Sequence, residues 1–104
     1  MEIIKAQEKV DRYIKNFGGY WSELSMFARL VEETGELSRS MNIKFGDKKS
    51  KHEDDGRELE KELADVFFTI LAIANKTEIN LDKALLDKIG ELSQRDEGIY
   101  AQND

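Results

Sequence analysis

Residues 62–74 read E-L-A-D-V-F-F-T-I-L-A-I-A, and this stretch decides the fold. Between residues 63 and 74, Asp65 is the only charged side chain and Thr69 the only other polar one. At about 100° per residue the apolar side chains cover nearly the whole circumference, which predicts a helix packed on several sides. Glu62 and Asp65 are three residues apart and share one face of that helix. The pattern therefore predicts two carboxylates inside a hydrophobic bundle.

A second acidic stretch, Glu32-Glu33-Thr34-Gly35-Glu36, lies in a helix predicted from about residue 22 to residue 42. Its apolar side chains fill an arc of roughly 200°, and the glutamates occupy the rest. Two acids on each of two antiparallel helices can form a cage of oxygens for a hard divalent cation such as Mg²⁺. Buried carboxylates without a counter-charge are costly, so the pattern favours a metal site. The alternative is a solvated acidic stripe paired with lysines.

The two motifs, E-E-x-x-E at residues 32–36 and E-x-x-D at residues 62–65, together resemble the signature of the MazG-like, all-α nucleoside triphosphate pyrophosphohydrolases. The flanking L-V-E-E-T-G-E-L and E-L-A-D-V-F-F agree, and the resemblance spans roughly residues 21–95. It implies a four-helix, bundle-like MazG-type fold and hydrolysis of nucleoside triphosphates between the α and β phosphates. It also implies Mg²⁺ as cofactor, with Mn²⁺ as a substitute, and a role in clearing unwanted nucleotides.

The resemblance also assigns roles to five acids. Glu33, Glu36, Glu62 and Asp65 are the implied metal ligands. Glu32 fits the first position of E-E-x-x-E, where it would orient the attacking water or accept its proton. The alternative for Glu32 is a surface acid without a catalytic role.

Basic side chains are needed for the outer phosphates of a nucleoside triphosphate, because metal ions rarely satisfy every phosphate oxygen. An aromatic side chain is a candidate for contact with the base. Lys88 and Arg95 on the last helix are the predicted phosphate-binding residues, although the asparagine that relatives carry between them is absent. Trp21 is a candidate for stacking on the base, and packing at the mouth of the bundle is its alternative. His52 is predicted to be an exposed histidine. The second candidates for the phosphates are Lys44, Lys48, Lys49, Lys51 and Arg57.

The chain has 104 residues and contains neither cysteine nor proline. Disulfides and thiolate zinc sites are therefore excluded, and long uninterrupted helices are favoured. Gly18-Gly19 is predicted to end the first helix, and Ser22 and Asn80 are predicted N-caps. We predict one MazG-like helical domain over residues 1–104, with helices at about 2–17, 22–42, 56–75 and 81–95 and a frayed tail at 96–104.

The charge and hydropathy of the chain limit its partners. The net charge of −6 argues against non-specific nucleic-acid binding. Neither a signal peptide nor a membrane span is recognisable, so a cytoplasmic protein is predicted. Apolar faces on several sides of two helices, in so short a chain, predict a homodimer or homotetramer. Two non-enzymatic alternatives are a catalytically silent nucleotide- or protein-binding oligomer and an oligomerisation module whose acids pair with lysines.

Overall fold

Four α-helices and no strand make up the described part of the computed structural model, residues 2–46 and 57–100. None of these helices has the length and hydropathy needed to cross a membrane. This architecture confirms the predicted all-α, bundle-like fold. The helices are α1 (Ile3–Asn16), α2 (Glu23–Phe45), α3 (Arg57–Lys76) and α4 (Leu81–Tyr100).

Local sequence signals set several helix ends. Gly18 and Gly19 have φ angles of 109° and 87°, which glycine adopts without strain, and α1 ends just before them. Ser22 caps α2, since its Oγ accepts a hydrogen bond of 3.2 Å from the backbone N–H three residues later. Asn80 caps α4 in the same way, also at 3.2 Å. Both predicted N-caps are confirmed.

Two helices extend beyond their predicted ends. α2 continues past Asn42 to Phe45, because no residue interrupts helical backbone before Gly46. α4 continues past Arg95 to Tyr100, where a frayed tail was predicted to begin at residue 96. The only poor helix former in that segment is one glycine, and a penalty of about 1 kcal/mol does not end a helix by itself.

α2 and α3 form an antiparallel pair. The two helices pack along each other, and Lys76 at the end of α3 donates from Nζ to the carbonyl oxygen of Trp21, just before α2, at 2.7 Å. The buried residues of α2 are Met26, Glu33 and Ser40, which repeat every seven positions. This repeat defines one helix face, and that face packs against α3.

A buried glutamine ties α1 to the turn between α3 and α4. The Gln7 Nε2 atom donates to the carbonyl oxygen of Ile79 at 2.8 Å and to Asn75 Oδ1 at 3.1 Å. Its Oε1 atom accepts from the backbone N–H of Leu81 at 3.0 Å. Asp82, in the first turn of α4, accepts from two backbone N–H groups at the start of α1. These hydrogen bonds fix the start of α4 against α1.

Much of the apolar surface stays uncovered within the chain. Leu24 is 77% exposed and Phe27 is 62% exposed. The radius of gyration is 17.5 Å, whereas a compact domain of about this length has roughly 13 Å. The buried apolar side chains among the described residues are Met26, Leu71, Ala72 and Ala74. The chain alone therefore has a small core and an extended shape.

Candidate active site

Three carboxylates meet between α2 and α3. Glu33, Glu62 and Asp65 each place one oxygen within 4.8 Å of the others. Glu33 and Glu62 are buried, with 7% and 8% of their surface exposed. Asp65 is exposed, so its predicted burial is wrong for the single chain, because the described residues leave its side of α3 uncovered. The spacing of three residues puts Glu62 and Asp65 on one face of α3, and the antiparallel packing brings Glu33 opposite them. We call these three residues the acid cluster.

Two buried oxygens of the acid cluster have no hydrogen-bond donor among the described residues. Within the described part of the chain, Glu33 Oε2 and Glu62 Oε2 are buried without a hydrogen-bond partner. An unpaired buried acceptor costs about 1–3 kcal/mol. The repulsion between the charges is a second penalty. Two unit charges 4.8 Å apart repel by about 3 kcal/mol at an effective dielectric constant of about 20. A divalent cation would remove both penalties, and carboxylate oxygens are the ligands that Mg²⁺ takes, so these residues fit such an ion.

The surroundings of Glu62 disfavour its charged form. Burial raises the pKa of its carboxyl above the usual value of 4.5, and the negative charges of Glu36, Asp65 and Glu58 add to the effect. Glu36 is itself exposed and lies outside the acid cluster, yet it is close enough to influence Glu62. Without an ion, Glu62 therefore resists ionisation.

This raised pKa gives a testable dependence of stability on pH. The folded protein holds the Glu62 proton more tightly than the unfolded chain does, so ionising Glu62 lowers the free energy of unfolding as pH rises above about 4.5. In EDTA, we expect wild-type stability, relative to Glu62→Gln, to fall as pH rises from about 4.5 until Glu62 is fully ionised. Urea unfolding of both proteins across this range measures the difference. Parallel pH profiles would contradict the expectation.

A cleft of about 450 Å³ opens beside the acid cluster. Its volume lies within the range of roughly 300–1,000 Å³ typical of small-molecule sites. Asp65 lines this cleft as well as belonging to the acid cluster, so the two features are continuous. Thr69, one turn after Asp65, also lines it. The aromatic residues of the lining are Tyr13, Phe17, Tyr20, Trp21 and Phe68.

Two hydrogen bonds hold the segment that carries Tyr20 and Trp21. The Tyr20 hydroxyl donates to Asp11 Oδ1 at 2.5 Å. Burial, followed by this bond, raises the pKa of Tyr20 to about 12, so the hydroxyl stays protonated at neutral pH. The bond from Lys76 to the Trp21 carbonyl fixes the other end of the segment. The aromatic side of the cleft is thus anchored to both α1 and α3.

Arg29 is the only basic residue among the described residues that line the cleft. Its Nε atom lies 2.8 Å from Glu33 Oε1, and its guanidinium carbon lies 5.2 Å from the centre of the Trp21 ring. Within the described part of the chain, it is also the only cation paired with a carboxylate of the acid cluster. Arg29 was not among the predicted site residues, although its position four residues before Glu33 places both on one helix face.

The family model for the MazG nucleotide pyrophosphohydrolase domain matches residues 21–99. This chain belongs to that family. The matched segment includes α2, α3 and nearly all of α4, and so contains every residue of the acid cluster. The resemblance inferred from the two acidic motifs is confirmed, and this MazG-family chain is a nucleotide pyrophosphohydrolase.

Similar proteins support the MazG assignment over most of the chain. The uncharacterized protein YpjD of Bacillus subtilis strain 168 is 46% identical over 79 residues, which are 75% of this chain and 71% of YpjD. A crystal structure of B. subtilis YpjD, provisionally assigned as a pyrophosphatase, matches with a TM-score of 0.78 and 41% identity, covering 84% of this chain and 90% of that one. The crystal structure of the Bacillus-conserved MazG protein, a nucleotide pyrophosphohydrolase, matches with a TM-score of 0.73 and 38% identity, covering 85% of each chain.

The predicted acids of this MazG domain are only partly brought together. Glu33, Glu62 and Asp65 form the acid cluster, and Glu36 lies beside it. Glu32 is exposed on α2 and outside the cluster. The roles of all five residues stay predictions, and the geometry ranks the three clustered acids first.

The predicted substrate-binding residues are dispersed. Trp21 lines the cleft and is 53% exposed. Lys88 and Arg95 are exposed on α4 and do not line the cleft, and each pairs with an acid on its own helix. Lys44, at the end of α2, lies 5.6 Å from the centre of the Phe45 ring. Outside the described residues lie Lys48, Lys49, Lys51, His52 and the side chain of Arg57.

Proposed function

We propose that this enzyme is a Mg²⁺-dependent pyrophosphohydrolase that converts nucleoside or deoxynucleoside triphosphates to the monophosphate and pyrophosphate. The observation that carries the proposal is the acid cluster, with its two unpartnered buried oxygens, at the end of an aromatic cleft. A triphosphate requires both features, because its phosphates need cations and its base offers a flat apolar face. Removal of unwanted nucleotides in the cytoplasm is the proposed role, since triphosphates are made and used there.

The clustered residues have distinct parts in this proposal. Glu33, Glu62 and Asp65 hold the ion, and Glu36 adds negative charge beside them. When bound, Mg²⁺ or its substitute Mn²⁺ supplies charge neutralisation at the phosphates and lowers the pKa of water. Trp21 stacks on the base in the cleft. The base and the reacting phosphorus are thereby held by two ends of one site.

The proposed reaction is a displacement at the α phosphorus. The oxygen of water bonds to that phosphorus, and the bond from the phosphorus to the α–β bridging oxygen breaks. Pyrophosphate leaves with the electron pair, and Glu32 accepts the proton of the water. Lys88 and Arg95 bind the outer phosphates in this scheme. Because they do not line the cleft of their own chain, they would come from a second copy.

We also infer that the enzyme is a homodimer or homotetramer. Val31 lies about 160° around α2 from Glu33, so α2 presents an apolar face opposite the one that packs on α3. A Cβ atom at Gly35, on this outer face, would meet nothing within 4 Å, which leaves room for another helix. Apolar surface of this kind marks protein contacts. The exposed apolar residues of the two helices include Leu24, Phe27 and Val31 on α2 and Leu63, Phe67 and Ile70 on α3.

A nucleotide panel tests the proposed reaction. Purified protein is incubated with the eight common ribo- and deoxyribonucleoside triphosphates and Mg²⁺, and the products are separated by ion-exchange chromatography. We expect monophosphate and pyrophosphate in equal amounts from at least one nucleotide. EDTA should abolish the reaction and added Mg²⁺ restore it. Release of inorganic phosphate with a diphosphate, or no product from any nucleotide, would contradict the proposal.

A further inference from the structure

Arg29 occupies the junction between the acid cluster and the cleft. Its Nε atom contacts Glu33, a member of the acid cluster, at 2.8 Å. Its guanidinium lies against Trp21, a member of the aromatic lining, at 5.2 Å from the ring centre. A nucleotide with its base in the cleft and its phosphates at the acid cluster would lie beside this guanidinium.

The chemistry of Arg29 suits that position. The shortest contact to Glu33 uses Nε, and the two terminal nitrogens carry the other four N–H donors. Arg29 pairs with no second carboxylate among the described residues. Lys76, the basic residue in the last turn of α3, donates to the Trp21 carbonyl. Among the described residues, Arg29 is therefore the cation placed to meet a ligand in the cleft.

We propose that Arg29 is a substrate-binding residue that holds the phosphate chain of the nucleotide between Trp21 and the acid cluster. Guanidinium groups bind phosphate oxygens through two parallel N–H donors, and stacking on Trp21 fixes the plane of the group. This inference rests on the proposed function and adds to it the residue that recognises the phosphates within a single chain.

A different role would be to hold Glu33 in position for the ion. The two roles predict opposite effects on ion binding. If Arg29 only orients Glu33, removing it weakens the binding of the ion. If Arg29 binds phosphate, removing a positive charge beside the ion site leaves ion binding unchanged or strengthens it.

The test compares Arg29→Gln and Arg29→Lys with wild type, and Arg12→Gln on α1 serves as the control for loss of an exposed arginine. Calorimetry measures the binding of an α,β-methylene nucleoside triphosphate with Mg²⁺, and electron paramagnetic resonance measures the binding of Mn²⁺ alone. We expect Arg29→Gln to weaken the analogue by about 10- to 100-fold, as for loss of a charge-assisted hydrogen bond. Arg29→Lys should restore part of the lost affinity for the analogue. The Mn²⁺ affinity of both variants should equal or exceed that of wild type.

Analogue binding within twofold of wild type in Arg29→Gln would overturn the proposal, as would an equal loss of Mn²⁺ affinity. Should Arg29→Gln fail to fold, Arg29→Lys tests the proposal instead. Lysine lacks the two parallel donors of the guanidinium, and this loss alone must weaken binding of the analogue. A wild-type protein that binds the analogue but hydrolyses no nucleotide refutes the proposed reaction and leaves the role of Arg29 standing. A wild-type protein that binds no analogue overturns both.

Discussion

Glu62→Gln should lower kcat/KM by roughly 10³-fold and, in the same protein, raise the stability of the ion-free state. The first effect follows because a neutral amide binds a divalent cation weakly, and electrostatic stabilisation worth about 4 kcal/mol corresponds to a factor of this size. The second follows because the substitution removes a buried charge whose Oε2 atom has no partner. We expect a gain of about 1–2 kcal/mol in the free energy of unfolding without an ion.

Steady-state assays with Mg²⁺ and urea unfolding in EDTA measure the two effects. Glu60→Gln is the matched control, because Glu60 is exposed on the same helix about 160° away from Glu62. Glu60→Gln should change neither kcat/KM nor the free energy of unfolding appreciably. Added Mg²⁺ should stabilise wild type more than Glu62→Gln. Loss of stability in Glu62→Gln without an ion would mean that Glu62 supports the fold and that the acid cluster is not an ion site.

Phe27→Glu should convert the oligomer to monomers. Phe27 is 62% exposed within one chain, and burial against a second copy would explain so large an apolar side chain on the surface of α2. Placing a charge at an interface and losing the aromatic contact costs about 3–4 kcal/mol, which weakens association by roughly 10²- to 10³-fold. Sedimentation velocity should show wild type at two or four times the chain mass of 12.0 kDa and the variant at that mass.

Ser93→Glu is the control for the oligomer, because it adds the same charge to an exposed polar position on α4. This control should sediment as wild type does. Phe67→Glu tests the exposed apolar side of α3 in the same way. A wild-type enzyme that sediments as a monomer at concentrations where it is active would refute the proposed assembly.

Periodicity predicted the helices and the burial of Glu62 because both depend on local geometry, but its prediction that Asp65 is buried was wrong for the single chain. The run around Asp65 has no polar face and predicted a helix packed on several sides. Within one chain this holds for one side only, since Leu63 and Phe67 are exposed. The pairing of Glu33 with Glu62 followed once α2 and α3 were taken to be antiparallel. Periodicity could not choose between Glu33 and Glu36 for the acid cluster, because both lie on the charged arc of α2 and only the rotation of the helix decides.

Contacts between segments distant in the chain could not be predicted from the sequence. The hydrogen bonds from Gln7 to Asn75 and Ile79 depend on how α1 docks on α3, and single-residue patterns do not encode docking. The exposed apolar residues were correctly expected to exist, but a helical wheel cannot say which apolar face packs within the chain. Arg29 could have been found, since a basic residue one turn before a buried acid is a readable pair.

Asp65 stands at once in the acid cluster and in the wall of the cleft. Two ligands whose sites share a residue are thermodynamically linked. If a bound cation raises the affinity for a nucleotide by some factor, the bound nucleotide must raise the affinity for the cation by the same factor. In the proposed function, with Mg²⁺ and the nucleotide coupled in this way, a shortage of free Mg²⁺ would also lower the fraction of enzyme that holds a triphosphate.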